Sequence, residues 1–182
     1  MNIFAIDSDP LIAVRSLHNK HIVKMILESA QMLSTVRQSY KIKDPWTLKP
    51  THQKHPSTLW TGESLENYYW LVKHFKAMCE EYTYRYYKVH KLHNMLLVFT
   101  ERTECIPSLG LTPFALAMPD IYKVEDPIQS YRNYYIGEKI QGNYWTNRSA
   151  SELPDWLIEH LNPFQFKLNR GETIKYNLVL EN

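Results

Sequence analysis

The sequence predicts a compact, mainly α-helical single domain that spans residues 1–182. Apolar and aromatic residues recur at helical spacing over long stretches, and an Asp-Pro pair stands before two of them. The chain contains only five glycines, which disfavours a loop-rich all-β fold, and it has no glycine-rich phosphate loop. With 182 residues it is long enough for one domain with a substantial core.

The first helix is predicted from about Pro10 to Gln38. Asp9 is suited to cap its N-terminus, and Pro10 occupies the first helical position, where its missing N–H costs nothing. The apolar stretch 2–6 before this helix has the composition of a strand, and so does the stretch 173–182. The two termini are therefore candidates for a small strand pair.

Further helices are predicted along the rest of the chain. A long helical stretch begins at Ser57 or Thr58, as one bent helix or two joined helices, with possible breaks at Gly62 and at residues 88–91. Asp126 and Pro127 repeat the start signal, for a helix that runs to about Ile140. A short helix is expected at 154–161, whereas the proline-containing segments 40–56 and 101–120 are predicted loops.

The first helix carries a polar stripe. At about 100° per residue, His21, Lys24, Glu28, Gln31 and Thr35 fall in a sector roughly 80° wide. The opposite side is predicted to be the apolar face, formed by Ile22, Val23, Ile26, Leu27, Ala30 and Leu33.

Two interpretations of the stripe stay open on the pattern alone. One is a solvated face with a Lys24–Glu28 ion pair, which contributes only a few tenths of a kcal/mol. The other is the wall of a cleft, where a carboxylate beside an imidazole and an amine acts as a general acid or base. Met25 and Met32 border the stripe, which favours partial shielding from water.

Two segments resemble a known family. "DPLIAVRSLHNKHIVKMILESAQML" and "HPSTLWTGESLENYYWLVKHFKAMCEEYTYRYY" are similar to the pyrimidine-dimer DNA glycosylase (endonuclease V-type) superfamily, and most of all to its uncharacterised, often phage-encoded members. The resemblance covers roughly residues 9–90, and residues from about 142 to 182 form a C-terminal extension. It implies a compact helical fold and cleavage of the N-glycosidic bond of a damaged or modified pyrimidine in DNA, with an imine intermediate and an AP-lyase step.

The resemblance also implies site residues. Members of the family use an N-terminal amine as nucleophile and a Glu on the first helix, and the His-to-Glu spacing of seven matches these to His21 and Glu28. Lys24 joins them as a catalytic candidate, and the imine-forming amine is left open among Met1, Lys20 and Lys24. Substrate contacts are expected from residues with cationic, aromatic or polar side chains, namely Lys20, Gln31, His55, Trp60, Arg85, Tyr131, Arg132 and Tyr135.

The chain departs from the family pattern around its Glu. The family enzymes carry arginines there, but this chain has Leu27 and Gln31, and its net charge of +2 is low for wrapping duplex DNA. An enzyme that acts on a free or hypermodified nucleotide is therefore one alternative, and a non-enzymatic helical module that binds nucleic acid or protein is another. The long helical stretch that begins at Ser57 or Thr58 carries aromatic residues and cations. On it, Glu80 or Glu81 is a candidate to face Glu28 across a cleft.

No cofactor is implied by the sequence, and DNA or a nucleotide is the expected partner. Three H-x-x-H pairs lie in separate segments without an H-E-x-x-H, so the pattern does not favour a metal site. There is no apolar run long enough for a membrane span and no C-x-x-C pair, which together predict a soluble, cytoplasmic chain.

Overall fold

The computed structural model describes residues 1–167, and it confirms the mainly α-helical fold. The helices are α1 (Pro10–Ser16), α2 (Asn19–Ser39), α3 (Pro56–Glu63), α4 (Leu65–Tyr86), α5 (Met95–Thr100), α6 (Pro127–Tyr134) and α7 (Asp155–Ile158). A π-helical turn, Tyr135–Lys139, continues α6, and three 3-10 turns cover Asp120–Tyr122, Ala150–Glu152 and Pro163–Gln165. Among the described helices, none is long and apolar enough to cross a membrane.

The strand prediction for residues 2–6 is wrong. This stretch forms no strand, although its five residues are all buried. Its apolar composition therefore reflects burial among helices and not a sheet ladder. The sheet of the described residues pairs β1 (Trp145–Thr146) with β2 (Phe166–Lys167) in parallel. The other predicted strand, at 173–182, lies outside the described residues.

The first predicted helix is two helices. Asp9 caps α1 as predicted, accepting from the N–H groups of Leu11 and Ile12. The chain then extends at Leu17 and His18 before α2 begins, and the His18 side chain accepts from the N–H of His21. No Gly or Pro marks this break in the sequence. The backbone groups that it leaves without helical partners bond to distant residues instead. The Ser16 carbonyl, for example, accepts from the indole of Trp145 at 3.1 Å.

The next two helices are separated by one residue, Ser64, whose hydroxyl caps α4. Gly62 lies just before this break, and a Cβ built there would come 3.3 Å from the Val36 side chain. Its small size thus lets α3 approach α2 closely. The predicted Asp126–Pro127 start of α6 is confirmed.

The core lies where α4 packs against α1 and α2, with α3 across one end. On α2 the buried side includes Ile22, Met25, Ile26 and Met32. The prediction that Val23 and Leu27 are core residues is wrong, because 47% and 43% of their surfaces are exposed. The packed face of α2 is rotated toward Met25 and Met32, so His21 and Glu28 lie at its rim and not on the far side.

Candidate active site

The N-terminal amine of the chain lies beside the carboxylate of Glu28. The Met1 nitrogen is 3.7 Å from Glu28 Oε2, and the N–H of Asn2 donates to the same oxygen at 3.2 Å. Glu28 Oε1 lies 3.3 Å from Lys24 Nζ, one helical turn away. One carboxylate therefore faces two primary amines, an arrangement suited to chemistry in which an amine is the nucleophile.

The two amines are held very differently. The Lys24 side chain is 70% exposed, whereas that of Glu28 is 14% exposed. The Met1 side chain is 2% exposed, and its sulfur accepts from the Thr58 hydroxyl at 3.7 Å. Because Met1 as a whole is only half-buried, its exposed part is the backbone end. The buried Met1 side chain thus fixes the position of the α-amine, whereas the Lys24 amine sits on a flexible stem.

A buried arm, residues 2–6, carries the α-amine to this position. The Asn2 amide donates to the Ala117 carbonyl at 2.8 Å and accepts the Phe4 N–H at 2.8 Å. Phe4 has a φ of 40°, in the left-handed region that aromatic residues rarely adopt. Such a conformation persists only where surrounding contacts fix it, so the arm is held in one geometry.

Arg132 fixes the far end of the arm. Its Nε donates to the Ile6 carbonyl at 2.9 Å, and its Nη2 lies 3.3 Å from Asp7 Oδ2. Its guanidinium also lies over the Trp156 ring, 5.1 Å from the centroid. The expected phosphate or base contact is therefore not what this side chain shows, because two of its donors serve the fold.

His21 supports the arm through its ring. The ring stacks on Phe4 at 4.2 Å and lies 4.0 Å from the ring of His18. Burial, with the charges of Lys139 and Lys24, lowers the pKa of His21 to about 3. Burial, with the charge of His21 the next contribution, lowers the pKa of His18 to about 2. Both imidazoles are thus neutral at pH 7.

In the part of the chain that the structure describes, His21 makes no hydrogen bond with Glu28. Its Nδ1 is buried without a hydrogen-bond partner. We therefore regard His21 as a residue that positions the arm, which differs from the catalytic role expected from the sequence.

Trp60 lies on α3, which borders the site, and His55 directly precedes this helix. His55 caps this helix by accepting from the Ser57 N–H at 3.2 Å. Its pKa is lowered, first by burial and then by the positive charge of the N-terminus, while Glu28 acts in the opposite direction. The charges of the Met1 amine and the Glu28 carboxylate thus both act on His55.

Trp60, in contrast, is a core residue. It is 3% exposed, and its indole donates to the Thr112 carbonyl at 3.4 Å. Together with Thr35, Thr58 and Ala115 it lines a cleft of about 700 Å³. Thr58, which contacts the Met1 sulfur, forms part of the wall of this cleft, and the cleft is large enough for a nucleobase.

Lys20 and Gln31 extend the stripe on either side of Glu28. Lys20 is exposed and Gln31 is half-buried. They lie on the same edge of α2 as Lys24, so this edge presents two amines, a carboxylate and an amide in sequence. These residues stay candidates for substrate contact.

Arg85 lies in a closed ion cluster within the fold. It is fully buried and donates to Glu81 at 2.7 Å, to the Asn19 side chain at 3.0 Å and to the Arg15 carbonyl at 3.2 Å. Arg148 completes the cluster by pairing with the same Glu81 carboxylate.

The expectation that Glu80 or Glu81 faces Glu28 is therefore not met. Glu81 is turned toward two arginines, and Glu80 forms a surface pair with Lys76 at 3.2 Å. The substrate role predicted for Arg85 is likewise unsupported, because its guanidinium is fully engaged within the fold.

Tyr131 and Tyr135 are also buried and bonded within the fold. The Tyr131 hydroxyl donates to the Ala115 carbonyl at 2.6 Å, and the Tyr135 hydroxyl accepts the His18 N–H at 2.9 Å. Burial raises the pKa of both phenols. Their predicted substrate contacts are unsupported, since both hydroxyls join elements that surround the arm.

Comparison with known proteins matches the part of the chain that builds this site. The family model for pyrimidine dimer DNA glycosylase matches residues 1–95, which is 95 of the 182 residues. The chain belongs to the pyrimidine dimer DNA glycosylase family. No curated protein and no solved structure matches it. The matched region of this family member contains the arm, Lys24, Glu28 and His55.

Sequence reasoning missed the residues that place the amine. Asn2, Phe4 and Thr58 were not among the predicted site residues, yet they fix Met1 beside Glu28. The available signal was the short apolar arm before Asp9, which was interpreted as a strand.

Proposed function

We propose that the protein is a DNA glycosylase that cleaves the N-glycosidic bond of a damaged or modified pyrimidine, with the α-amine of Met1 as nucleophile. The observation that carries this proposal is the 3.7 Å separation between the Met1 nitrogen and Glu28 Oε2, in a chain of this family. Met1 is favoured over Lys24 because its buried side chain fixes the position of the amine, whereas the Lys24 side chain is 70% exposed.

The reaction follows from the positions of the two groups. The lone pair of the Met1 amine attacks C1′ of the sugar, and the C1′–N bond breaks with its electrons on the departing base. Glu28 stabilises the positive charge that develops on the sugar and accepts a proton from the attacking nitrogen. Returning that proton to the ring oxygen opens the sugar and leaves an imine between Met1 and C1′.

An AP-lyase step follows from that imine. The imine acidifies the proton on C2′, and loss of this proton expels the 3′-phosphate as the leaving group. Hydrolysis of the imine then releases the amine. Lys24 and His55 both lie near Glu28 and Met1, and they supply positive charge or a proton acceptor beside the departing groups.

Borohydride trapping tests the proposal. The protein is incubated with a labelled duplex that contains a cyclobutane pyrimidine dimer, and separately with one that contains an abasic site, and borohydride reduces any imine to a stable adduct. We expect an adduct with both, and a loss of about 10²- to 10⁴-fold in its rate of formation for Glu28→Gln.

Glu80→Gln is the matched control, because Glu80 also has a lysine partner one turn away on an exposed helix surface. It should react like the wild type. A folded protein that forms no adduct with either duplex would contradict the proposal, and so would full activity of Glu28→Gln.

A second candidate is an enzyme that acts on a free or hypermodified nucleotide with the same amine and carboxylate. Two observations favour it, namely the cleft of about 700 Å³ lined by Thr58 and Trp60 and the absence of arginines next to Glu28, where Leu27 and Gln31 stand. Adduct formation with a modified nucleotide, without salt-sensitive binding of damaged duplex, would select this alternative.

A further inference from the structure

A second surface, beside the candidate active site, exposes a large aromatic side chain. The loop 40–56 leaves α2 and returns along it to His55. Within this loop 75% of the Trp46 surface is exposed. All five tryptophans are described, and the other four are buried or half-buried. The indole of Trp46 is therefore accessible to a partner.

The loop holds Trp46 between two fixed points. On one side, the buried Arg37 donates to Asp44 through Nε at 2.8 Å. On the other, the Leu48 N–H donates to the Ser34 hydroxyl at 3.1 Å, and its carbonyl accepts from Gln38 at 2.7 Å. The indole is thus presented by a fixed backbone, which lowers the entropic cost of binding a partner.

The loop that carries this indole is positively charged. Lys41, Lys43, Lys49 and Lys54 of the loop are all exposed, and none forms an ion pair within residues 1–167. Asp44 is the only acid between residues 41 and 54, and Arg37 neutralises it. The combination of free lysines and a protruding aromatic ring fits a nucleic-acid strand, whose phosphates bind cations and whose bases stack on aromatic rings.

The loop is anchored to α2 on the C-terminal side of Glu28. Leu48 is anchored at Ser34 and Gln38, which follow Glu28 on α2. With a rise of 1.5 Å per residue, these anchors lie roughly 9 and 15 Å along the helix from Glu28. This is about three to four nucleotide steps of a DNA strand.

We propose that Trp46 and the lysines of loop 40–56 form a platform that stacks an unpaired base of a DNA strand, a few nucleotides from the one that reacts at Glu28. The inference rests on the proposed function for the identity of the strand. We call the set formed by Trp46, Lys41, Lys43, Lys49 and Lys54 the platform.

Fluorescence and binding test the platform without any chemistry. A fluorescein-labelled duplex with an abasic site and unpaired nucleotides a few positions from it reports affinity by anisotropy, and an unlabelled copy reports stacking through quenching of indole emission. We expect DNA to quench the wild type and to quench Trp46→Phe much less. Trp46→Ala should bind about tenfold more weakly, since stacking on one base contributes about 1–3 kcal/mol.

Phe164→Ala is the matched control, because Phe164 is 80% exposed and lies in a distant 3-10 turn. It should bind as the wild type does. The variant Lys43→Gln/Lys49→Gln should lower the slope of log affinity against log salt by about two, one for each phosphate contact. The pair Lys73→Gln/Lys76→Gln on α4 should leave that slope unchanged.

Unchanged affinity of Trp46→Ala, or indole emission that DNA does not alter, would overturn the platform. Failure of the proposed function has a different signature. Absence of a borohydride adduct with Trp46-dependent binding retained would reject the glycosylase and support the platform. An adduct formed with binding that ignores Trp46 would reject the platform alone.

Discussion

Two glutamates of this protein have the same kind of partner on their own helix but different partners from the rest of the fold. Glu28 on α2 and Glu81 on α4 each pair with a cation one turn away on the same helix. The Glu81 side chain is 4% exposed and lies between the guanidinium groups of Arg85 and Arg148. The Glu28 side chain is 14% exposed and lies between the amines of Lys24 and Met1.

The difference between the two pairs is chemical. A guanidinium keeps its proton at any pH a protein meets and has no lone pair to offer, so Arg85 and Arg148 can only bind. An amine that loses its proton becomes a nucleophile, and a neighbouring carboxylate can accept that proton. The carboxylate of Glu81 thus stabilises the fold, and the carboxylate of Glu28 is suited to a reaction.

The largest expected effect comes from opening the closed cluster. Glu81→Gln removes the carboxylate that neutralises two buried arginines, and we expect a loss of about 3–5 kcal/mol in the free energy of unfolding. Chemical denaturation measures this loss. Protein that remains folded should still form the borohydride adduct, and a specific loss of adduct in folded Glu81→Gln would break the comparison.

Acid is expected to lower the stability of the fold through its buried histidines. Burial and nearby positive charges lower the pKa of His18 to about 2 and that of His21 to about 3. Burial alone lowers the pKa of His74 to about 3. The unfolded chain takes up protons at these histidines near pH 6.5 and the folded chain does not. The contribution of these histidines to the free energy of unfolding is therefore fully present above pH 6.5. It decreases below that pH, by up to about 1.4 kcal/mol per histidine for each pH unit.

Denaturation curves at pH 7.0, 6.0 and 5.0 measure this slope. His74→Phe should reduce it by up to about 1.4 kcal/mol per pH unit, because His74 stacks on Trp70 and makes no hydrogen bond in the described residues. His160→Phe at an exposed position is the control and should leave the slope intact. A stability that is flat between pH 7 and 5 would contradict the neutral state assigned to these rings.

A smaller effect is expected when the arm is loosened. Asn2→Ala removes the bond to the Ala117 carbonyl and the acceptor for the Phe4 N–H. We expect the rate of adduct formation to fall by about tenfold, because the amine is no longer held at one position, and stability to fall by about 1–2 kcal/mol. Single-turnover trapping at saturating DNA measures the rate. Equal rates for Asn2→Ala and the wild type would show that the arm does not position the amine.

The smallest effect is expected at Lys24. Its side chain is 70% exposed, and exposed pairs of this kind contribute about 0.3–0.5 kcal/mol. Lys24→Gln should therefore change stability very little and the trapping rate by only a fewfold. Complete loss of the adduct in this variant would move the nucleophile from Met1 to Lys24.

The sequence predicted those features of the fold and site that depend on neighbours in the chain. Asp9 with Pro10, and Asp126 with Pro127, start helices where capping chemistry requires it. The placement of Glu28 beside Lys24 follows from helical spacing, although the role of this pair needed the family resemblance.

Features that depend on distant contacts were out of reach. The break at Leu17 and His18 is stabilised by Trp145 and Tyr135, far along the chain. The arm is fixed by Asn2 and a carbonyl 115 residues away. Arg85, which was expected to hold substrate, is buried because Glu81, Asn19 and the Arg15 carbonyl surround its guanidinium.

The central claim is that the α-amine of Met1 is the nucleophile beside Glu28. The most direct measurement is to digest the borohydride adduct and to locate the sugar remnant by mass spectrometry. The account predicts the mass increase on the α-nitrogen of the N-terminal peptide, and none on the peptide that contains Lys24. A remnant on Lys24, on Lys20 or on any other side chain would contradict it.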